Sequence, residues 1–158
     1  MVDAFCLIMW NMALRRPAVC GALDRRPRRS FPGFCAGQCR YCQTDQPERE
    51  IEAAAAGAFV VIMTHSHLLD YSIAAAALLR PELGFVGLIG SNTKRARFES
   101  QALKMGLGAP QIARLTCPIG LTEIKGKEPS IIAASVAAQL LIERERAVSR
   151  QIGAADVR

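Results

Sequence analysis

The run Phe59-Val-Val-Ile-Met-Thr-His-Ser-His-Leu-Leu-Asp70 constrains the fold more than any other part of the chain. An apolar, largely β-branched run breaks sharply into polar residues, and a helical pattern from Leu68 to Leu79 follows at once. A continuous apolar run of this length predicts a strand buried on both faces, then a short loop and a helix. That is the half-unit from which parallel α/β sheets are built. In such sheets ligands sit beyond the carboxyl ends of the strands. Thr64, His65, Ser66 and His67 therefore fall where binding or chemistry is expected, and His65 and His67 are the only histidines in the sequence.

The flanking sequence repeats the alternation. Thr44 or Asp45 suits the cap of a helix that Pro47 opens and Gly57 stops. The helix after the central strand runs from about Ser66 to Arg80, because the residue before Pro81 is pushed out of helical geometry. Gly84-Phe-Val-Gly-Leu-Ile-Gly90 predicts a second buried strand, and Ser91 caps a helix running through Arg97 and Leu103 to Gly106. Arg114 to Cys117 predicts a short strand stopped by Pro118, and Pro129 to Glu145 a helix rich in Ala, Ile and Leu. Alternating helices and strands predict one parallel sheet with flanking helices. At 158 residues the chain has room for one core. No apolar run approaches the ~20 residues that span a bilayer, and no basic region precedes Met1–Trp10 as in a secretory signal. The expected location is cytoplasmic, away from membranes.

Three stretches carry candidate chemistry. In Thr64-His-Ser-His-x-x-Asp70 two imidazoles and a carboxylate lie close together. Zinc takes three or four ligands and the chain has no third histidine, so contact to an organic ligand is expected rather than a metal. Ser66 and Asp70 also suit a plain helix cap and dipole partner. Gly90-Ser91, followed by Lys94 and Arg95, puts free amides and two cations at a helix start, an arrangement suited to phosphate. Cations at that end oppose the helix dipole unless an anion is present. No Gly-x-x-x-x-Gly-Lys precedes them, so this is not a Walker loop. Cys117 places a thiol at the third strand end.

Residues 1–42 differ in texture. They hold five of the six cysteines, and seven arginines against Asp3 and Asp24, which is most of the net charge of +6. The rest is nearly balanced, so nucleic acid is not an expected partner, and a solvated leader is the simpler reading. Within it, Ala18–Leu23 is the one candidate strand. The spacing of Cys35, Cys39 and Cys42 resembles the cluster loop of radical SAM enzymes, but too little chain follows for their barrel. The organisation expected is an Arg/Cys-rich leader (1–42), a domain (43–147) and a tail (148–158).

Four motifs in order carry a more specific likeness: Thr64-His-Ser-His-Leu-Leu-Asp70, Gly87-Leu-Ile-Gly-Ser-Asn-Thr-Lys-Arg-Ala-Arg-Phe98, Cys117-Pro-Ile-Gly-Leu121 and Gly126-Lys-Glu-Pro-Ser-Ile-Ile-Ala-Ala-Ser135. Over roughly residues 43–147 the series resembles the C-terminal half of the XdhC/CoxI family, the xanthine dehydrogenase accessory proteins. The resemblance implies a Rossmann-like domain of a chaperone that binds molybdenum cofactor (molybdopterin) rather than a catalyst. It also implies xanthine dehydrogenase and a cysteine desulfurase as partners, with a homodimer left open. By position it assigns Ser91, Lys94 and Arg95, beside Gly90, to the pterin phosphate. Thr64, His65, Ser66, His67 and Asp70 would line the rim, with Cys117 as a further contact. Full members carry a separate N-terminal domain and a glycine-rich turn after the first strand, and residues 1–22 contain no Gly-x-Gly-x-x-Gly. The expectation is a domain incomplete at its N-terminus, with a truncated or frame-shifted leader. Two other functions stay open: a nucleotide-dependent Rossmann oxidoreductase, and an iron–sulfur or radical protein through Cys35, Cys39 and Cys42.

Overall fold

The computed structural model describes the backbone of residues 6–11, 16–20, 46–64 and 66–155, and side chains within 46–64 and 66–150. Five strands form one sheet: β1 (Cys6–Asn11), β2 (Arg16–Cys20), β3 (Phe59–Met63), β4 (Phe85–Leu88) and β5 (Leu115–Thr116), in the order β2-β1-β3-β4-β5. The helices are α1 (Pro47–Glu52), α2 (His67–Leu78), α3 (Asn92–Lys104), α4 (Ala109–Ala113) and α5 (Pro129–Ala155). The chain divides into two compact units, Met1–Pro118 and Ile119–Arg158.

β3, β4 and β5 are parallel and are joined through α2 and through α3 with α4, the partial Rossmann-like α/β arrangement that the alternating pattern predicts. The sheet is not wholly parallel, however. β1 pairs antiparallel with both β2 and β3. Only four residues separate β1 from β2, too few for the crossover that a parallel pair needs. The strand expected at Ala18–Leu23 lies earlier, at Arg16–Cys20, and includes Pro17. A proline is tolerated there because β2 is the sheet edge.

The core confirms why β3 reads as an unbroken apolar run. Phe59, Val60, Val61 and Ile62 are all within 1 % of complete burial, so both faces of the strand are covered. Ile73, Ala74, Ala77 and Leu78 of α2 and Phe98 and Ala102 of α3 are buried with them. Each large apolar side chain so buried contributes roughly 1.5–3 kcal/mol. Tyr71 and Phe98 meet with ring centroids 5.5 Å apart, which joins α2 to α3. Gly84 lets β4 enter beside β3, since a Cβ there would lie 2.6 Å from the Phe59 ring and 2.8 Å from the Gly57 carbonyl oxygen.

α1 is shorter than expected, ending at Glu52 rather than at Gly57. Its last carbonyls, of Ile51 and Glu52, accept from the Arg80 guanidinium, and its Glu48 accepts from the Ser72 hydroxyl. Its N-cap is Gln46, and Thr44 and Asp45 lie outside the described residues. In the second unit, α5 continues past Glu145 to Ala155. The Gly120 and Leu121 amides donate to Gln139 Oε1 and Ser135 Oγ on that helix, both at 2.7 Å. No helix among the described residues is long and apolar enough to cross a membrane.

Candidate functional site

Where β3 and β4 end, the chain turns into α2 and α3 through two serine caps. Ser66 Oγ accepts from the Leu69 amide, and Ser91 Oγ accepts from the Lys94 amide at 3.3 Å. Both caps are legible in the sequence, because a short hydroxyl side chain before a helix satisfies an amide that has no intrahelical acceptor. Ser91→Ala is expected to cost about 1 kcal/mol of unfolding free energy. A change below a few tenths in urea denaturation would show that water replaces the cap at no loss. Thr64 supports the first turn from outside: its hydroxyl donates to the Ser66 carbonyl oxygen and accepts from the Ser66 amide.

Between these two turns lies a hollow of about 450 Å³, lined by Thr64, His67, Tyr71, Ile89, Gly90, Ser91, Thr93, Lys94 and Arg97. The sequence placed most of its candidates at these strand ends, and the structure brings Thr64, His67, Gly90, Ser91 and Lys94 around one space. His65 lies outside the described residues, as do Cys35, Cys39 and Cys42. Among the described residues no three His, Cys, Asp or Glu side chains gather as a metal site.

Two candidates sit deeper than a rim. Asp70 is completely buried. One of its carboxylate oxygens accepts from the Thr64 amide at 2.9 Å, and the other from Lys94 Nζ at 2.5 Å. Lys94 Nζ also donates to the Ile89 carbonyl oxygen at 2.8 Å. Asp70 and Lys94 therefore clamp the end of β3 to the end of β4 and the head of α3. Gly90 makes room for this, since a Cβ there would lie 2.6 Å from Lys94 Cδ. Asp70 holds the site together from beneath instead of facing it.

Arg95 and Cys117 are likewise turned away from the hollow. Arg95 Nε pairs with Glu99 at 2.7 Å, and its guanidinium donates to the carbonyl oxygens of Leu115 and Cys117. Cys117 is 3 % exposed. Burial pushes its thiol pKa up, and the nearby Lys94 and Arg95 charges only partly oppose that shift. The thiol is then protonated at neutral pH, whereas nucleophilic or metal-binding sulfur is a thiolate. Peptide-resolved alkylation of the native protein is expected to label Cys117 far more slowly than a free thiol and to need higher pH, with both differences lost on unfolding. Rapid labelling of the native protein at neutral pH would contradict this environment.

Arg97 was not among the sequence candidates. It is exposed, it lines the hollow, and it has no ion pair among the described residues. The signal that finds it is helical spacing: it lies three residues beyond Lys94 and four beyond Thr93, on the face that those residues share. The first-turn amides of α3 have no intrahelical acceptors. Together with Arg97 they make this end of the hollow suited to a bound anion.

Residues 11–140 match the family model of the XdhC Rossmann domain. A comparison with curated proteins finds no match.

Proposed function

The chain belongs to the XdhC Rossmann-domain family, and on that premise we propose that it binds molybdenum cofactor and serves the maturation of xanthine dehydrogenase. The family is an accessory one, and the role proposed for this chain within it is that of a chaperone and not a catalyst. The observation that carries the reading is the hollow at the carboxyl ends of β3 and β4, which is where a ligand of this fold is held.

The residues present fit a phosphorylated pterin. The hollow offers the hydroxyls of Ser91 and Thr93, the His67 imidazole and the Arg97 guanidinium, and among the described residues no carboxylate lines it. The phosphate would lie toward Arg97 and the head of α3, where charge and free amides favour it. The cofactor's own dithiolene would hold the molybdenum, so a set of protein metal ligands is not required. The chain's contribution is binding, orientation and shielding. Xanthine dehydrogenase as recipient and a cysteine desulfurase as a second partner complete the proposal.

The test is made on protein purified from cells with an intact cofactor pathway. The sample is oxidised and its released pterin measured by fluorescence, with molybdenum and iron counted alongside. Near-stoichiometric pterin is the expected result. A folded sample without pterin would overturn the proposal, and tight nicotinamide nucleotide binding in its place would make the chain an oxidoreductase. Iron without pterin would turn attention to Cys35, Cys39 and Cys42.

A further inference from the structure

Resting on the reading of the hollow as a cofactor site, the geometry points to a division of labour inside it. Arg97 takes the anionic phosphate, and Lys94, its charge balanced by Asp70, donates a hydrogen bond to an uncharged acceptor on the ring system of the same ligand.

Three basic residues stand at the head of α3, and two of them are already committed. Arg95 spends its charge on Glu99 and its Nη1 donors on the carbonyls of Leu115 in β5 and of Cys117. Lys94 has a carboxylate 2.5 Å away, on a residue with no exposure at all. A cation with its counter-charge so close presents a short dipole to a third group. A phosphate approaching Lys94 would also meet the Asp70 charge behind it, unscreened by water. Among the described residues at this helix head, Arg97 alone keeps an unbalanced positive charge. Its planar fork of donors matches phosphate oxygens in pairs.

The lysine remains useful to a ligand. An ammonium carries three donors. Two are given to Asp70 Oδ2 and the Ile89 carbonyl, which leaves one on a side chain that lines the hollow. That donor is held by partners on both strand ends, and a ring carbonyl or ring nitrogen matches it without bringing net charge toward Asp70. The ligand is therefore oriented: ring system toward Lys94 on the floor, phosphate toward Arg97 at the exposed side.

The experiment uses full-length protein loaded in cells, with retained pterin measured after gel filtration at low and high salt. Exposed Arg97→Ala is expected to lower retention about tenfold or more, since hydrogen bonds to charged groups are among the stronger ones. It is also expected to abolish the salt dependence, because salt screens this one exposed charge. The paired replacement Lys94→Met with Asp70→Leu removes both buried charges together, and a thermal melt verifies its fold. It is expected to lower retention while keeping the wild-type salt dependence. A phosphate-free pterin titrated into the wild-type protein supplies an arm that needs no buried substitution; its binding is expected to be insensitive to salt and to Arg97→Ala. Salt dependence surviving in Arg97→Ala, wild-type retention in the paired variant, or salt-sensitive binding of the phosphate-free pterin would each overturn the division while leaving the cofactor reading intact. Wild-type protein that carries no pterin would overturn both.

Discussion

Lys94→Ala lowers the free energy of unfolding by about 3–5 kcal/mol in urea denaturation, the scale expected when one partner of a buried ion pair is removed. The size follows from what the substitution leaves behind. Asp70 is fully enclosed and keeps only the Thr64 amide, so one carboxylate oxygen loses its partner in a water-poor interior. The Ile89 carbonyl loses its donor as well. The paired replacement Lys94→Met with Asp70→Leu is expected to recover most of the loss, because apolar residues of similar volume strand no charge. The coupling energy from the complete cycle isolates the pair from the packing of its methylenes. Gly90→Ala attacks the same clamp from the side, by placing a methyl group against the Lys94 stem, and is expected to give a smaller loss. A Lys94→Ala protein within 1 kcal/mol of wild type would mean that solvent reaches Asp70 and that the clamp does not hold the strand ends.

This clamp also shows where reading from sequence stops. The opposed dipole at the head of α3 was a sound signal: cations there call for an anion. For Lys94 that anion is inside the protein, 24 residues back in the chain, at the start of α2. Asp70 reads in sequence as a residue that complements its own helix, because nothing in local spacing shows that β3 and β4 lie side by side. Once the sheet order is known, the pairing follows from two adjacent strand ends. By contrast β3, α2, β4 and α3 were legible with both serine caps, since each rests on a local pattern of burial or capping. β1 is not legible because its apolar run, Cys6 to Trp10, is short and continuous and so shows neither a strand nor a helix period. Arg97 lies outside the Gly–Ser turn motif, and only its helical spacing from Thr93 and Lys94 brings it to the same hollow.

Arg114→Ala is expected to cost about 2–3 kcal/mol, a value set by hydrogen bonds from a charged donor that are partly shielded from water. The residue stands between α4 and β5, and its guanidinium donates to three carbonyl oxygens: Leu78 at 3.3 Å, Arg80 at 3.1 Å and Leu83 at 2.9 Å. All three belong to the last turn of α2 and the loop that follows it. Helix carbonyls at that end lack intrahelical donors and carry the negative end of the dipole. One side chain therefore caps α2, fixes the path into β4 and ties both to the third parallel strand. Arg114→Lys keeps the charge but offers donors from a single nitrogen, which cannot span three carbonyls held by separate residues. It is expected to recover less than half of the loss. Full rescue by lysine in the same denaturation series would show that charge near the helix end, and not the geometry of the fork, is what the fold requires. If the fork is the requirement, Arg114→Lys should also expose the Leu83 and Gly84 amides to faster hydrogen exchange than wild type. That effect would be confined to the approach to β4, because the clamp at the opposite, carboxyl ends of the strands is untouched.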